Sequence, residues 1–275
     1  MLEILEYLFL GLIQGLTEPI PVSSSGHVLI FKVIFEKLFS GAASIDFELL
    51  ATVTNFGSFI AIVIIFWNDI ITLIKNFFGY IKTKDEKLKT DFNYCWWIVI
   101  GTIPAGVIGL LVSMFDLLET LEENVKVVGI TLLVTAVFLF IIRNFVGKKD
   151  KEQMTLKDAI VVGLCQVIAL IPGISRSGST IIGGMFCGLK RDTAFKYSFM
   201  LYLPISVATM VLGVKDLIDA NLSLRTWFLY IVSAELAGIL TYFATKWFSK
   251  LVKEGKLIYF SIYCVIVGLL VLIFL

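Results

Sequence analysis

The chain has 275 residues, of which 58% are hydrophobic and only 16% are charged, and its mean hydropathy is +0.93. This composition excludes an ordinary soluble globular domain and is typical of a polytopic membrane protein. The formal net charge of +1 gives no indication of a nucleic-acid partner. The four cysteines have no CxxC spacing, so we expect inert thiols instead of a disulfide framework or a zinc site.

Six apolar stretches are long enough to cross the hydrocarbon core as helices, which takes about 20 residues. They are Phe47–Trp67, Tyr94–Phe115, Val125–Phe145, Phe195–Val214, Trp227–Trp247 and Leu257–Leu275. Two further apolar regions, residues 2–39 and 156–189, are interrupted by Pro, Gly and Ser, and we predict that each forms a re-entrant helix pair. Glu3 and Glu6 stand where a signal peptide carries basic residues, so we do not expect the N-terminal stretch to be a removed leader.

Lysine and arginine are concentrated in four connecting segments, residues 68–93, 143–157, 188–196 and 246–256. The positive-inside rule places these segments in the cytoplasm. Their order alternates correctly if the six spans cross and the two interrupted pairs do not. We therefore predict a multi-pass protein of the plasma membrane, with both termini and the site described below on the extracytoplasmic side.

The sequence contains an internal repeat. Residues 11–27, GLIQGLTEPIPVSSSGH, align with residues 163–179, GLCQVIALIPGISRSGS, at six identical positions of seventeen, and the matches include Gln, Ser and Gly. Each copy is followed by three predicted spans, and an odd number of spans inverts the second copy in the membrane. We predict an all-α fold of two inverted repeats, residues 1–146 and 147–275, each with one re-entrant pair and three transmembrane helices.

A polar turn lies at the centre of the first interrupted pair. Pro19 and Pro21 cannot continue a helix, and Ser23, Ser24 and Ser25 are residues that favour the start of the next one. The unpaired N–H groups and the positive dipole end of such a helix start are suited to bind an anion.

The second turn repeats this arrangement. Pro172 and Gly173 precede Ser175, Arg176 and Ser177, so a second helix start is predicted to face the first near the middle of the bilayer. The guanidinium of Arg176 matches phosphate oxygens, and an arginine is costly at such depth unless it has a role. The alternative is a purely structural or snorkelling arginine.

Three further side chains are candidates for chemistry beside the first turn. Gln14 and Glu18 are four residues apart and share a helix face. Glu18 could act as a general base or as the ligand of a divalent cation, Mg²⁺ or Ca²⁺. His27 follows one turn later and could exchange a proton with a serine. The alternatives are a helix-end carboxylate at an aqueous interface and a hydrogen-bonded structural histidine.

Together these groups favour phosphoryl chemistry, in which positioning and charge neutralisation supply most of the catalysis. The sequence has no P-loop, GxSxG or HExxH motif, so nucleotide hydrolysis, esterase and zinc protease activities have no motif support. Two other classes stay open: a transporter that moves a phosphate-bearing lipid across the membrane, since inverted repeats with broken helices build many transporters, and an anion channel with re-entrant filters.

The segments QGLTEPIPVSSSGH and PGISRSGSTIIGG resemble the two motifs of the undecaprenyl-diphosphate phosphatase family, also called the bacitracin resistance protein family. The resemblance covers essentially the whole chain. It implies hydrolysis of a polyisoprenyl diphosphate to the monophosphate carrier lipid with a divalent cation, at a site open to the outer side, and Ser24 as the nucleophile. The family's active-site positions fall on Gln14, Glu18, Ser24, His27, Ser175, Arg176 and Thr180. Asn55 stands where that family more usually has Gln or His, which leaves its role open.

From the residues and the resemblance together we predict that Ser24, Glu18, His27 and Arg176 are catalytic. The predicted substrate-binding residues are Gln14, Ser23, Ser175, Ser177 and Thr180. Glu18 is also the predicted ligand of the cation. The expected partners are a polyisoprenyl diphosphate and membrane lipids.

Overall fold

A computed structural model describes residues 2–38, 45–115, 117, 118, 121 and 124–275. Apart from one isolated bridge between Lys149 and Leu189, the regular structure within these ranges is helical. The first part of the chain forms α1 (Leu2–Thr17), α2 (Ser24–Leu38), α3 (Phe47–Ile65), α4 (Trp67–Thr83), α5 (Lys89–Met114) and α6 (Val125–Ile142). The second part forms α7 (Leu156–Ile168), α8 (Arg176–Phe186), α9 (Arg191–Asp219), α10 (Leu224–Lys253) and α11 (Ile258–Phe274).

Five helices in the described ranges are long and apolar enough to cross a membrane, which confirms a multi-pass membrane protein. They are α3, α5 with the short turn before it, α6, α9 and α10. The sixth predicted span, Leu257–Leu275, forms the apolar helix α11 of 17 residues, about 26 Å long. Its crossing of the membrane stays a prediction.

The helices of both interrupted regions are short. α1 and α2 have 16 and 15 residues, and α7 and α8 have 13 and 11, so the longest of them measures about 24 Å. A hydrocarbon core is about 30 Å thick, and each helix of these pairs is therefore too short to cross it alone.

Glycines let helices from distant parts of the sequence approach each other backbone to backbone. A Cβ added to Gly11 of α1 would lie 2.6 Å from the carbonyl oxygen of Ser233 in α10. A Cβ on Gly163 of α7, which aligns with Gly11 in the repeat, would lie 2.7 Å from the carbonyl oxygen of Gly101 in α5. The first helix of each motif is thus packed against a long helix contributed by the other half of the chain.

α4 is an element that the sequence interpretation missed. The segment 68–93 was predicted only as a basic connection, yet most of it is helical. α3 and α4 meet at Phe66, whose N–H still donates to the carbonyl of Ile62, so α4 begins immediately where α3 ends.

Candidate functional site

The first polar turn runs from the end of α1 to the start of α2. The N–H of Glu18 still donates to the carbonyl of Gln14 at 2.9 Å, and the chain then leaves the helix. Ser23 has a φ of +67°, a left-handed conformation that costs a non-glycine residue about 1 kcal/mol. Its Oγ accepts a bond from the N–H of Gly26 at 3.3 Å. The turn therefore holds Ser24 at the first position of α2.

The second polar turn also places a site residue at the first position of a helix, but with different backbone geometry. Gly173 takes the positive φ, +84°, and a Cβ there would lie 2.0 Å from Oγ1 of Thr131. That hydroxyl donates to the carbonyl of Pro172 at 2.9 Å. Ser175 is an extended N-cap that accepts the N–H of Gly178 at 3.1 Å. α8 begins at Arg176, the position that aligns with Ser24.

The two turns contact each other directly. Ser177 Oγ at the start of α8 donates to the carbonyl of Ile20 in the first turn at 3.2 Å. A Cβ on Gly26 would lie 3.3 Å from Cα of Gly173. The predicted meeting of the two helix starts is therefore present in the structure.

Glu18 is the centre of the polar contacts between the turns. Arg176 Nη2 donates to Glu18 Oε1 at 2.5 Å, while Ser24 Oγ and Gln14 Nε2 donate to Oε2 at 2.6 Å and 2.9 Å. The carboxylate is buried, with 7% of its side chain exposed, and it has a cationic and two neutral donors. This arrangement joins four of the predicted residues into one network.

Arg176 is held from its other side by an aromatic ring. Its guanidinium carbon lies 4.0 Å from the centre of the Tyr202 ring in α9, a cation–π contact. The Tyr202 hydroxyl in turn donates to Oδ1 of Asn55 in α3 at 3.2 Å. α9 thus contributes the ring that contacts the arginine, and α3 contributes the side chain that holds this ring in place.

A cavity of about 540 Å³ opens beside this network. Its polar wall includes Gln14, Glu18, Ser23, Ser24, Ser175, Arg176 and Ser177, together with Asn55 and Lys32. Much of the remaining wall is apolar, with side chains from α2, α6, the second turn and α9. Such a space suits a ligand with an anionic head and an apolar chain.

His27 and Thr180 lie near this site but are not among the residues that line the cavity. His27 is buried, with Nδ1 at 2.8 Å from the carbonyl of Ser23 and Nε2 at 2.7 Å from the hydroxyl of Tyr263. Thr180 is fully buried and bonds Ser198 Oγ at 2.6 Å. The structure therefore places both behind the turns, where they support the helix starts.

The cavity lining also includes residues that were absent from the sequence-predicted set, among them Tyr202 and Lys32. Lys32 lies seven residues after Ser25, which puts the two on one face of α2, so helical periodicity could have identified it. Tyr202 lies in an apolar span without a motif, and the sequence carries no signal for its contact with Arg176.

Comparison with known proteins gives consistent matches over nearly the whole chain. The family model described as Bacitracin resistance protein BacA matches residues 7–270. Undecaprenyl-diphosphatase 2 of Bacillus thuringiensis is 48% identical over 274 residues, which cover 99% of this chain and 98% of that protein. The undecaprenyl-diphosphatase of Oceanobacillus iheyensis is 42% identical over 273 residues, covering 99% and 97%. Undecaprenyl-diphosphatase 1 of Halalkalibacterium halodurans is 39% identical over 269 residues, covering 98% and 95%.

Proposed function

The chain belongs to the bacitracin resistance protein BacA family, and from this premise we propose that it is a membrane phosphatase acting on undecaprenyl diphosphate. The products are undecaprenyl monophosphate, the carrier lipid of cell-envelope synthesis, and inorganic phosphate. The family and its diphosphatase relatives favour hydrolysis over the transporter alternative. The observation that carries the proposal within the site is the contact of one carboxylate, Glu18, with both a serine hydroxyl and an arginine beside a cavity.

The diphosphate head binds between the starts of α2 and α8. Arg176 and the unpaired backbone N–H groups at both helix starts neutralise its charge, and Gln14, Ser23, Ser175 and Ser177 supply further polar contacts. Thr180 supports this wall from behind by anchoring α8 to α9 through Ser198. The isoprenoid chain leaves along the apolar part of the cavity wall.

The reaction begins at Ser24. Its Oγ attacks the terminal phosphorus, Glu18 takes the hydroxyl proton, and the electrons of the bridging P–O bond leave with undecaprenyl monophosphate. Glu18 passes this proton to the departing monophosphate and is again a carboxylate. A water molecule then attacks the phosphorus of the phosphoserine while Glu18 takes a proton from it. Glu18 returns that proton to Ser24 Oγ as the bond between phosphorus and Ser24 breaks and inorganic phosphate leaves. Attack by a water molecule held at Ser24 is the second route to the same products.

His27 has a positioning role in this scheme. Its Nδ1 contact with the Ser23 carbonyl and its Nε2 contact with Tyr263 tie the left-handed turn to α11. The geometry favours Glu18 over His27 as the group that exchanges the proton with Ser24, because Ser24 already donates to Glu18.

A divalent cation, Mg²⁺ or Ca²⁺, fits this site only as a companion of the substrate. The described residues contain no group of three His, Cys, Asp or Glu side chains that could hold a metal. Glu18 is the one carboxylate of the network, and its oxygens already accept bonds from three donors. We therefore propose that Glu18 is the side chain that would hold such a cation once the substrate is bound. Such a cation would add charge neutralisation to that given by Arg176.

The proposed topology is an inverted repeat, residues 1–146 and 147–275, with both termini and the cavity mouth on the extracytoplasmic side. The alignment of the helix starts at Ser24 and Arg176, and the equivalent glycine contacts of α1 and α7, support it. Single cysteines at Lys87 and Leu224 should react from opposite sides with a membrane-impermeant maleimide. Each is introduced into a chain whose four native cysteines have been replaced, so that only the new thiol reacts. Labelling of both positions from outside would contradict this topology.

Phosphate release from undecaprenyl diphosphate by the purified protein tests the function. We expect Ser24→Ala to lower the rate by about 10³-fold. Ser179→Ala is the matched control, because Ser179 lies near the start of α8 and is not among the residues that line the cavity, and its rate should stay within a few-fold of the wild type. Removal of divalent cations with a chelator should lower the rate of the wild type and of the control variant. Full activity of Ser24→Ala would refute the assignment of Ser24.

A further inference from the structure

α4 has two apolar stripes, of which one packs against the protein. The inward stripe contains Leu73, which is buried, and Phe77 and Tyr80, whose rings lie 5.1 Å and 4.7 Å from the Phe92 ring of α5. Cys95 of α5 also reaches the backbone of Leu73. This stripe explains how α4 is fixed to the first turns of α5.

The second apolar stripe of α4 faces away from the protein. Its members recur at alternating steps of four and three residues, the spacing of one helix face. They are Trp67, Ile71, Ile74, Phe78 and Ile81. The exposed fractions of Trp67, Ile74, Phe78 and Ile81 are between 48% and 64%, which is more apolar surface than a short helix presents to water without a partner.

Three acidic residues beside α4 form ion pairs. Asp69 lies 3.4 Å from Lys196 of α9, and Asp91 lies 2.5 Å from Lys151. Glu86 lies 3.0 Å from Lys89 within its own turn. These three negative charges are therefore compensated without the lysines of α4.

The lysines of α4 are not part of these ion pairs. Lys75 follows Ile74 and Lys82 follows Ile81, so both flank the exposed stripe. Both side chains are exposed, and neither forms an ion pair with any residue that the structure describes. The outward face of α4 thus combines an apolar stripe with uncompensated positive charge.

α4 lies in the chain between two candidate membrane-spanning helices, α3 and α5, so both of its ends are connected directly to segments that enter the bilayer. Trp67 and Trp96, which are both exposed, are residue types that prefer the membrane–water interface. We propose that the outward face of α4 is a binding surface for anionic phospholipid. The apolar stripe enters the boundary between acyl chains and headgroups, and Lys75 and Lys82 contact the phosphate groups.

Site-directed spin labelling tests the depth of this face. In a full-length protein freed of its native cysteines and reconstituted in vesicles, a nitroxide at Phe78 should collide with oxygen more than with a water-soluble nickel complex. A nitroxide at Thr72, on the polar side of α4, should show the reverse preference. Nickel access at Phe78 would overturn the proposal, and exclusion of both reagents there would instead indicate coverage by a second copy of the chain.

The amount of lipid that stays bound to the purified protein tests whether this surface prefers anionic phospholipid. The protein is incorporated into vesicles of phosphatidylcholine with and without phosphatidylglycerol. After purification, the phosphatidylglycerol molecules that remain bound to each protein are counted. Lys75→Gln combined with Lys82→Gln should lower retention about ten-fold. Lys148→Gln combined with Lys157→Gln removes the same charge from exposed, unpaired lysines elsewhere and should leave retention unchanged. Equal retention by both double variants would overturn the proposal.

Discussion

Arg176→Met removes a guanidinium that contacts Glu18 at 2.5 Å and lies 4.0 Å from the centre of the Tyr202 ring. Glu18 keeps the two neutral donors, Ser24 and Gln14, but its buried negative charge loses its counter-ion. Removing one partner of a buried ion pair costs about 3 to 5 kcal/mol. Because 22% of the Arg176 side chain is exposed toward the cavity, we expect a loss of about 2 kcal/mol in the free energy of unfolding.

Adding Glu18→Gln to this variant separates stability from chemistry. A glutamine at 18 keeps an acceptor for Ser24 and carries no charge, and a methionine at 176 packs on the Tyr202 ring. The double variant should therefore regain stability to within about 1 kcal/mol of the wild type. Its phosphatase rate should remain about 10² to 10³-fold lower, since a charge-stabilising donor and the proton acceptor are both gone.

Thermal unfolding in detergent and phosphate release from undecaprenyl diphosphate measure the two quantities on the same preparations. The reasoning is refuted if the stability losses of the two single variants simply add in the double variant, because that outcome means that Arg176 and Glu18 do not stabilise each other. Wild-type activity in Arg176→Met would remove Arg176 from the mechanism.

Four further substitutions, one of them a control, test the surrounding structure. Gly57→Ala should prevent folding, since its Cβ would lie 1.9 Å from a carbonyl oxygen of α10, whereas Gly106→Ala, with nothing within 4 Å, should express and unfold like the wild type. Tyr263→Phe removes a partner of His27 and should lower the free energy of unfolding by about 1 kcal/mol; a rate loss above 100-fold would argue against a positioning role. Tyr202→Leu should weaken substrate binding and raise KM more than it lowers kcat, and an unchanged KM would refute the role of its ring under the site arginine.

Part of the local geometry of the site was predictable from the sequence. Helix-breaking residues followed by serines predict one helix start within residues 23–25 and another within 175–177, and α2 and α8 begin at Ser24 and Arg176. Gln14 and Glu18 share a face because a helix repeats every 3.6 residues, and they are hydrogen-bonded. These are local properties of the chain, which is why spacing and residue type were sufficient to predict them.

The contacts of the site join residues far apart in the sequence, and these contacts could not be predicted from the sequence. Arg176 is 158 residues from Glu18, and the alignment predicted only that their turns converge. Tyr202 under Arg176 and the placement of His27 against Tyr263 follow from how α9 and α11 pack. α4 was missed for a similar reason. One of its two apolar stripes packs against α5, and this packing cannot be predicted from the local sequence.

The sequence by itself determined that this chain is a membrane protein with two repeated polar turns, because hydropathy, helix-breaking residues and helix-starting residues act locally. Only the tertiary structure decided that one carboxylate joins the two turns, with Arg176 on one oxygen and Ser24 on the other. The physical reason is that this pairing requires α1 and α8 to be brought together by packing against other helices, and no local preference specifies that packing.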